Sequence, residues 1–266
     1  MDKNIVMQWK TRKNGWGRPW NGLQIISWII FLLNIFYFWA FVVTMNNWVI
    51  ATVIGIIYLL VSFLIMKYAI SAMLCDPIDP IILKERKWRA DNVSFCKSEF
   101  EFFCSICDTH VTDQAKHWGK CNKCISGFDH HWYWLNTWIG EKNYKIFFKL
   151  LIVLILQNLI FMSSISVNLI FNDKWEEKVI KVVKIKTHIT LLILNIVMGL
   201  INLAEWLITG KLMLFHIYLK CKGVSTFEYI KRNMNYKSRF KIRRDSFQGR
   251  SSNLEPSQRE ISEDDN

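Results

Sequence analysis

The chain has 266 residues, is 52% hydrophobic and carries a formal net charge of +12. This length fits one large globular domain or a small membrane protein, and the hydropathy favours the membrane protein. The charge argues against nucleic-acid binding, because the basic residues flank apolar segments and the sequence contains no base-stacking module.

Four apolar runs, nearly free of charged residues, follow one another along the chain. Each is long enough to cross a hydrocarbon core, which takes about 20 helical residues. They cover Leu23–Val43, Trp48–Met66, Ile146–Phe171 and Ile189–Ile208. The first run is too long for a cleavable signal peptide and lacks a small-residue cleavage site. The sequence therefore predicts an all-α membrane protein with four transmembrane helices.

The distribution of Lys and Arg predicts the orientation. Five basic residues precede the first run, twelve lie between residues 67 and 149, twelve follow from residue 211, and the turn at 44–47 has none. Because cytosolic loops are enriched in Lys and Arg, both termini and the middle loop are predicted to be cytosolic. The membrane would be that of the ER or Golgi, or the plasma membrane. Five lysines between residues 172 and 186 oppose this orientation.

The four runs divide the chain into five predicted parts. Residues 1–22 form a cytosolic N-terminus, and residues 23–70 form the first two transmembrane helices. Residues 71–145 form a cytosolic cysteine-rich domain. Residues 146–219 form the last two transmembrane helices with a short lumenal loop between them. Residues 220–266 form a cytosolic tail, whose polar end has the composition of a disordered segment.

The middle loop contains six of the seven cysteines. Clustered cysteines in a reducing cytosol indicate metal binding rather than disulfides. Cys104 and Cys107 form one C-x2-C pair, Cys121 and Cys124 form another, and His117 lies between them. Since Zn²⁺ takes four tetrahedral ligands from Cys and His, this spacing predicts zinc. Buried free thiols are the plainer alternative.

The stretch GFDHHWYWLNTWIG, residues 127–140, places Asp129 beside His130 and His131. Adjacent histidines on an extended chain do not easily bind one metal, so they are predicted to serve different sites. A carboxylate next to a histidine is typical of a general base and the group that orients it. Taken alone, the stretch fits an exposed polar turn equally well.

The loop resembles the cysteine-rich domain of the DHHC protein S-palmitoyltransferases, with the motif reading DHHW. That family's pattern is C-x2-C-x9-H-C-x2-C-x2-C-x4-D-H-H-C-x5-C, and CSICDTHVTDQAKHWGKCNKCISGFDHHWYWLNTW keeps every spacing. The resemblance extends to NGWGRPW before the first run, CDPIDP after the second and STFEYI at 225–230, so it covers roughly residues 14 to 232. Four helices with this domain between the second and third is also the family's layout.

The resemblance implies a reaction and its partners. In this family a cysteine thiolate takes the acyl group of palmitoyl-CoA and passes it to a cysteine of a membrane-associated protein, which is covalent catalysis. His130 would be the base, Asp129 would orient it, and position 132 would be the nucleophile. The implied partners are acyl-CoA, the lipid bilayer and protein substrates.

The resemblance also implies two zinc ions, each held by three cysteines and one histidine. The first would be bound by Cys104, Cys107, His117 and Cys124, which are all present. The second would be bound at positions 118, 121, 131 and 138, where only Cys121 and His131 supply a ligand. Two ligands are too few for a structural zinc site.

Tryptophan replaces cysteine at three positions of the pattern, namely Trp118, Trp132 and Trp138. An indole offers neither a thiolate nor a lone pair for a metal, so the chain as written forms no acyl-enzyme. One interpretation is a catalytically dead scaffold or adaptor that retains one zinc. Another is that UGA codons for cysteine are read here as tryptophan, which fits three identical departures and a total of 13 Trp. A third is genuine loss in a code where UGA specifies Trp.

Predictions for other residues, and one further function, are plainer. Thr226 and Glu228, by resemblance, pack the tail against the catalytic loop. Glu205 lies in the fourth run, where it either lines the acyl-binding cavity or marks the end of the helix. His110 is predicted to be a solvated loop residue and His216 an interfacial one. A zinc transporter is disfavoured, because the metal ligands lie in one loop and the helices lack a metal path.

Overall fold

The computed structural model describes residues 12–42, 48–93, 100–119, 122–171, 180–181 and 188–233. The helices in these ranges are α1 (Gly22–Tyr37), α2 (Trp48–Leu74), α3 (Pro80–Ala90), α4 (Tyr144–Phe171), α5 (His188–Lys222) and α6 (Thr226–Asn233). A π-helical turn, Phe38–Val42, continues α1. The strands are β1 (Phe102–Cys104), β2 (Thr109–Val111), β3 (Lys116–Trp118), β4 (Lys123–Ile125), β5 (His130–Trp132) and β6 (Thr137–Ile139).

Helices α1, α2, α4 and α5 are long and apolar enough to cross a membrane. The candidate spans are Gly22–Ala40, Trp48–Leu74, Tyr144–Val167 and Leu192–Lys222. The prediction of an all-α membrane protein with four transmembrane helices and a cysteine-rich loop between the second and third is therefore confirmed. The sides of the membrane and the five-part division of the chain stay predictions, and residues 234–266 of the tail lie outside the described residues.

Two of the membrane helices continue further than the apolar runs that predicted them. Helix α2 ends at Leu74 rather than near Met66, and α5 ends at Lys222 rather than near Ile208. The last turns of α2 are held by packing, since Met73 is fully buried against the cysteine-rich loop. Hydropathy detects the part of a helix that contacts lipid and misses the part that contacts protein.

The loop folds as three antiparallel hairpins, β1–β2, β3–β4 and β5–β6, each built from strands of three residues. An isolated two-stranded hairpin is marginally stable at best in water. The hairpins therefore depend on what joins them, which is a Cys/His cluster on one side and the ends of the helices on the other.

Hairpin β5–β6 packs on the cytosolic ends predicted for α2 and α4. Trp132, Leu135 and Ile139 share one buried cluster with Met73 and Phe147. This cluster fixes the hairpin directly above the bundle of helices.

The N-terminal segment closes the other side of this junction. The Gly15 amide donates to the Met73 carbonyl over 2.8 Å. A Cβ at Gly15 would lie 2.6 Å from the Leu135 carbonyl oxygen, so this backbone approach requires glycine. The Arg12 guanidinium donates to the Asn136 carbonyl oxygen.

Helix α3 is joined to the loop through Asp79, which is fully buried. Its carboxylate caps α3 by accepting from the Ile81 amide over 2.9 Å. It also accepts from the amide and the hydroxyl of Thr112, over 3.1 and 2.7 Å. Three donors therefore depend on one side chain.

Asp79→Ala is expected to lower the free energy of unfolding by about 3 kcal/mol, because a helix cap is lost and the buried Thr112 donors are left unpaired. Thermal unfolding of the detergent-solubilised protein measures the change. Asp91→Ala, at the exposed C-terminal end of the same helix, is the matched control and leaves the midpoint nearly unchanged. Equal losses in both variants would contradict the role given to Asp79.

Candidate functional site

Four side chains of the loop converge on one point. Cys104 ends β1, Cys107 lies in the turn after it, and His117 and Cys124 are cross-strand partners in β3–β4. Their ligand atoms all lie within 4.8 Å of one another. The pair of hairpins thus brings together the whole ligand set predicted for the first zinc.

The distances within this cluster match a tetrahedral zinc site. Ligands at Zn–S of about 2.3 Å and Zn–N of about 2.0–2.1 Å stand roughly 3.8 Å apart for two sulfurs and roughly 3.6 Å apart for sulfur and nitrogen. The His117 Nδ1 atom lies 3.8, 3.2 and 3.8 Å from the sulfurs of Cys104, Cys107 and Cys124. The sulfurs of Cys107 and Cys124 lie 3.7 Å apart. The residues present therefore fit zinc.

The ionisation of these groups favours the same conclusion. Burial raises the pKa of the Cys107 and Cys124 thiols, so they are protonated in the absence of a metal. Burial also lowers the pKa of His117, which keeps its imidazole neutral and ready to bind. A zinc ion would displace the thiol protons and bind the thiolates.

Strand β5 separates two functions by its alternation. Successive side chains of a strand point to opposite faces, so His130 and Trp132 share one face and His131 points to the other. The ring centroids of His130 and Trp132 lie 5.2 and 4.9 Å from that of Phe147 on α4. His131 instead faces its cross-strand partner Trp138, with ring centroids 4.9 Å apart.

Asp129 and His130 form a short hydrogen bond, with Oδ2 and Nδ1 2.6 Å apart. Thr226 of α6 anchors the same carboxylate, because its amide donates over 2.9 Å and its hydroxyl over 2.7 Å. Burial alone would raise the pKa of Asp129, but the hydrogen bonds from His130 and Thr226 outweigh it and hold that pKa below its ordinary value. Asp129 is thus an anion that fixes the orientation of the imidazole.

The contact of Thr226 agrees with the prediction that this segment packs against the loop. Ser225 and Glu228 form a capping box at the start of α6: the Glu228 amide donates to the Ser225 hydroxyl, and the Ser225 amide donates to the Glu228 carboxylate. Glu228 therefore holds the helix that carries Thr226, and it does not contact Asp129 among the described hydrogen bonds.

The Nε2 atom of His130 is buried and has no hydrogen-bond partner among the described residues. The imidazole is therefore oriented at one nitrogen and available at the other, as a general base requires. Position 132 lies two residues further on the same strand face, and its side chain lines a cavity of about 160 Å³ between the membrane helices.

The positions predicted for the second zinc also come together, as far as they are described. Trp118 and Trp138 belong to one buried cluster with Ile125 and Phe128, and His131 packs on Trp138. Cys121 lies outside the described residues. The indole nitrogens of Trp118 and Trp138 are buried without a hydrogen-bond partner in the described structure.

His216 is a site residue that the sequence did not reveal. It is 1% exposed rather than interfacial, its ring centroid lies 5.3 Å from that of His130, and its Nδ1 lies 3.1 Å from the Tyr144 hydroxyl. A histidine late in an apolar run was its one signal. His110 is likewise not solvated: it is 8% exposed and its amide donates to the Glu85 carboxylate over 2.9 Å, so that prediction is wrong.

Comparison with known proteins identifies the same arrangement. A family model described as DHHC palmitoyltransferase matches residues 97–233, and the cysteine-rich domain of that family binds zinc. The human "Probable palmitoyltransferase ZDHHC11B" is 28% identical over 249 residues, covering 83% of this chain and 66% of the relative. The human "Palmitoyltransferase ZDHHC11" is 28% identical over 262 residues, covering 86% and 61%.

The mouse "Palmitoyltransferase ZDHHC11" is 31% identical over 258 residues, covering 87% of this chain and 72% of the relative. The chain spans less than two thirds of the length of the two human relatives. The family match over residues 97–233 includes the Cys/His cluster, the Asp129–His130 pair and Thr226, and the protein belongs to the DHHC palmitoyltransferase family.

Proposed function

We propose that the protein is a protein-cysteine S-palmitoyltransferase that works through an acyl-enzyme at position 132, and that positions 118, 132 and 138 are cysteine in the cell. The observation that carries the proposal is the location of position 132. It shares a strand face with the oriented base His130 and lines a cavity between the membrane helices.

The proposed reaction has two steps. His130 takes the proton of the thiol at position 132, and the thiolate attacks the thioester carbon of the acyl-CoA. The C–S bond to coenzyme A breaks, and the leaving thiolate takes the proton from His130. A cysteine of the protein substrate then attacks the acyl-enzyme in the same way, which restores the thiol at position 132. Asp129 stabilises the imidazolium and fixes its tautomer.

The cavity supports an acyl-CoA as donor. Its upper wall is formed by Trp132, Trp134 and Leu135 of the loop, and apolar residues of all four membrane helices continue it downward, including Phe31, Ile65 and Leu154. A hydrocarbon chain in this cavity leaves water while its thioester stays beside His130. An indole at position 132 occupies space that a cysteine would leave to the chain.

Two buried indoles support cysteine at positions 118 and 138. A buried polar hydrogen without a partner costs about 1–3 kcal/mol, and both Trp118 and Trp138 bury such an N–H. Cysteines at these positions would have no such donor and would stand beside His131, where the family pattern places a zinc.

The charges around Trp138 support the same assignment. The Arg12 guanidinium carbon and the Lys123 ammonium nitrogen lie 5.1 and 5.4 Å from the centroid of its indole. The Lys123 side chain is only 2% exposed and is paired with a single carboxylate, that of Asp76. A zinc ion with three thiolates and one neutral imidazole carries a net charge of −1, which two adjacent cations would offset.

The alternative is a catalytically dead scaffold of the same fold that retains the first zinc. The observation in its favour is that the chain as written packs well, since Trp132 and Trp138 are 8% and 1% exposed. Such a protein would bind partners through the loop and would transfer no acyl group.

The orientation and the partners follow from the proposed reaction. Acyl-CoA is made and kept in the cytosol, so the cysteine-rich domain and both termini would face that side, in an endomembrane or the plasma membrane. The protein substrates would be membrane-associated proteins whose cysteines lie at the same interface.

Peptide mass spectrometry of the protein purified from its natural source tests the proposal. We expect the peptides that cover residues 118, 132 and 138 to have the masses of cysteine at these three positions. Tryptophan at position 132 would overturn the acyl-enzyme and leave the scaffold. Trp16, which the resemblance identifies as a genuine tryptophan, is the internal control and keeps its mass as Trp.

Thr226→Val is expected to slow acylation by roughly 10–100-fold in a chain with cysteine at position 132, because one hydrogen bond to a charged acceptor contributes about 1.5–3 kcal/mol. Single-turnover labelling with radiolabelled palmitoyl-CoA measures the rate. Thr52→Val is the control, since that hydroxyl donates only within its own exposed helical turn. An unchanged rate in Thr226→Val would remove Thr226 from the mechanism.

A further inference from the structure

The membrane cavity has polar side chains far from the loop. Beside its apolar wall it is lined by six polar residues, namely Ser27, Asn34, Gln157, Asn158, Glu205 and Thr209. A cavity that took only a saturated hydrocarbon chain would not need hydrogen-bonding groups at this depth. Ionisable and polar groups inside a membrane are costly and are typical of functional sites.

Most of these groups have partners within the protein. The Asn34 amide donates to the Glu205 carboxylate over 3.2 Å and accepts from Asn202 over 2.9 Å. The Gln157 amide donates to the Ser62 hydroxyl over 2.9 Å. These contacts connect α1, α2, α4 and α5 at one level of the bundle.

Asn158 is the exception. It is 4% exposed, and its amide nitrogen donates to the Leu154 carbonyl over 3.0 Å. Its Oδ1 atom is buried and accepts no hydrogen bond from the described residues. Asn158 and Glu205 line the same cavity, so this level of the cavity offers hydrogen-bond acceptors to whatever occupies it.

The depth of these acceptors follows from helix geometry. At 1.5 Å per residue, Asn158 lies about 12 Å below Leu150 along α4, and Glu205 lies about 10 Å below Leu212 along α5. Leu150 and Leu212 line the part of the cavity next to the loop. Since one lipid chain fills half of a hydrocarbon core of about 30 Å, the acceptors lie roughly two-thirds of the way along an extended chain.

We infer that the cavity is built for an acyl chain that carries a hydroxyl about two-thirds of the way along its length, with Asn158 and Glu205 as the acceptors of that hydroxyl. This inference rests on the proposed function, because it takes acyl-CoA as the donor. The hydroxyl donates to the Asn158 Oδ1 atom, which otherwise stays unpaired in a medium without water. A saturated chain brings a methylene group to the same place and leaves the acceptor unpaired.

The competing explanation is that the polar residues serve only to hold the helices together, as small and polar groups do in many membrane proteins. It accounts for Asn34, Asn202 and Gln157, whose amides bond across helices. It does not account for Asn158, whose acceptor bonds to nothing described.

Equilibrium binding to the full chain in lipid nanodiscs tests the inference with three acyl-CoA probes of eighteen carbons. One is stearoyl-CoA, one is hydroxylated two-thirds of the way along its chain, and one is hydroxylated next to the thioester. We expect the second probe to bind at least tenfold more tightly than the other two. Equal binding of all three would overturn the inference and leave the acyl donor in place. Binding of none would overturn the proposed function as well.

Two variants separate recognition from helix packing. Asn158→Leu is expected to abolish the preference for the second probe while binding stearoyl-CoA as well as before. Asn202→Leu is the control, because Asn202 belongs to the same hydrogen-bonded set and does not line the cavity; it is expected to lower thermal stability and keep the preference. If Asn158→Leu keeps the preference, or Asn202→Leu loses it equally, helix packing is the correct explanation. If Asn158→Leu does not fold, the preference of the unmodified chain among the three probes still decides.

Discussion

Replacement of Trp118, Trp132 and Trp138 by cysteine is expected to convert a chain that forms no acyl-enzyme into one that takes up close to one acyl group per molecule. The chain as written has an oriented base at His130 and no nucleophile. A thiol at position 132 supplies the nucleophile on the same face of β5. Hydroxylamine-labile labelling from radiolabelled palmitoyl-CoA measures the acyl group, because hydroxylamine cleaves thioesters.

The three replacements belong together for a structural reason. Trp138 is 1% exposed, and truncating a buried Trp without compensation costs about 3–5 kcal/mol. Cysteines at 118 and 138, with His131, recreate a metal site whose binding free energy offsets that loss. The single variant Trp132→Cys is therefore expected to acylate while keeping the stability of the parent. The double variant Trp118→Cys, Trp138→Cys is expected to gain zinc and remain unlabelled.

Two controls define the result. His130→Ala in the triple variant is expected to slow acylation by about 10²–10⁴-fold, the usual contribution of a general base. Trp16→Cys in the parent chain adds a cysteine away from the base and is expected to give no label. If the triple variant folds, binds zinc and stays unlabelled, the acyl-enzyme is excluded and the scaffold is the better account.

The sequence was sufficient for the features that depend on local pattern. The apolar runs predicted the membrane helices, because hydrocarbon thickness sets a minimum length. The spacing of Cys104, Cys107, His117 and Cys124 predicted a cluster that the hairpins do form. In both cases one physical constraint acts on residues that are close in the chain.

The features that the sequence missed arise from contacts between distant segments. His216 reaches His130 only because α5 returns to the loop after two membrane crossings. His110 is buried because Glu85 of α3, 25 residues earlier, accepts its backbone amide and lies 3.3 Å from its ring nitrogen. A polar residue in a loop is predicted to be solvated until the element that covers it is known.

Glu205 shows the same limit inside the membrane. Its position in an apolar run indicated an interior-facing group, and the sequence left open whether it lined a cavity. The structure places it in the cavity wall beside Asn34 of α1, 171 residues earlier. The partner of a buried polar group cannot be read from one helix, because the packing of the bundle selects it.

Cys124→Ala is expected to remove the first zinc and unfold the cysteine-rich loop. Cys124 is 1% exposed and joins the β3–β4 hairpin to the ligands of the β1–β2 hairpin. Structural zinc contributes about 10–16 kcal/mol of apparent binding free energy in small zinc domains, which exceeds what strands of three residues supply. Elemental analysis should show the loss of one zinc per chain, and limited proteolysis should cut within residues 100–139.

Cys221→Ala is the matched control, since Cys221 is exposed near the end of α5 and lies outside the cluster; it should retain all its zinc. A Cys124→Ala protein that keeps its zinc and its protease resistance would show that the cluster holds buried thiols instead. The zinc count also separates the two interpretations of the tryptophans. One zinc per chain in the natural protein is what the scaffold requires, since Trp118 and Trp138 supply no ligand. Two zincs require cysteine beside His131, and the codons that place cysteine there would place it at position 132 as well.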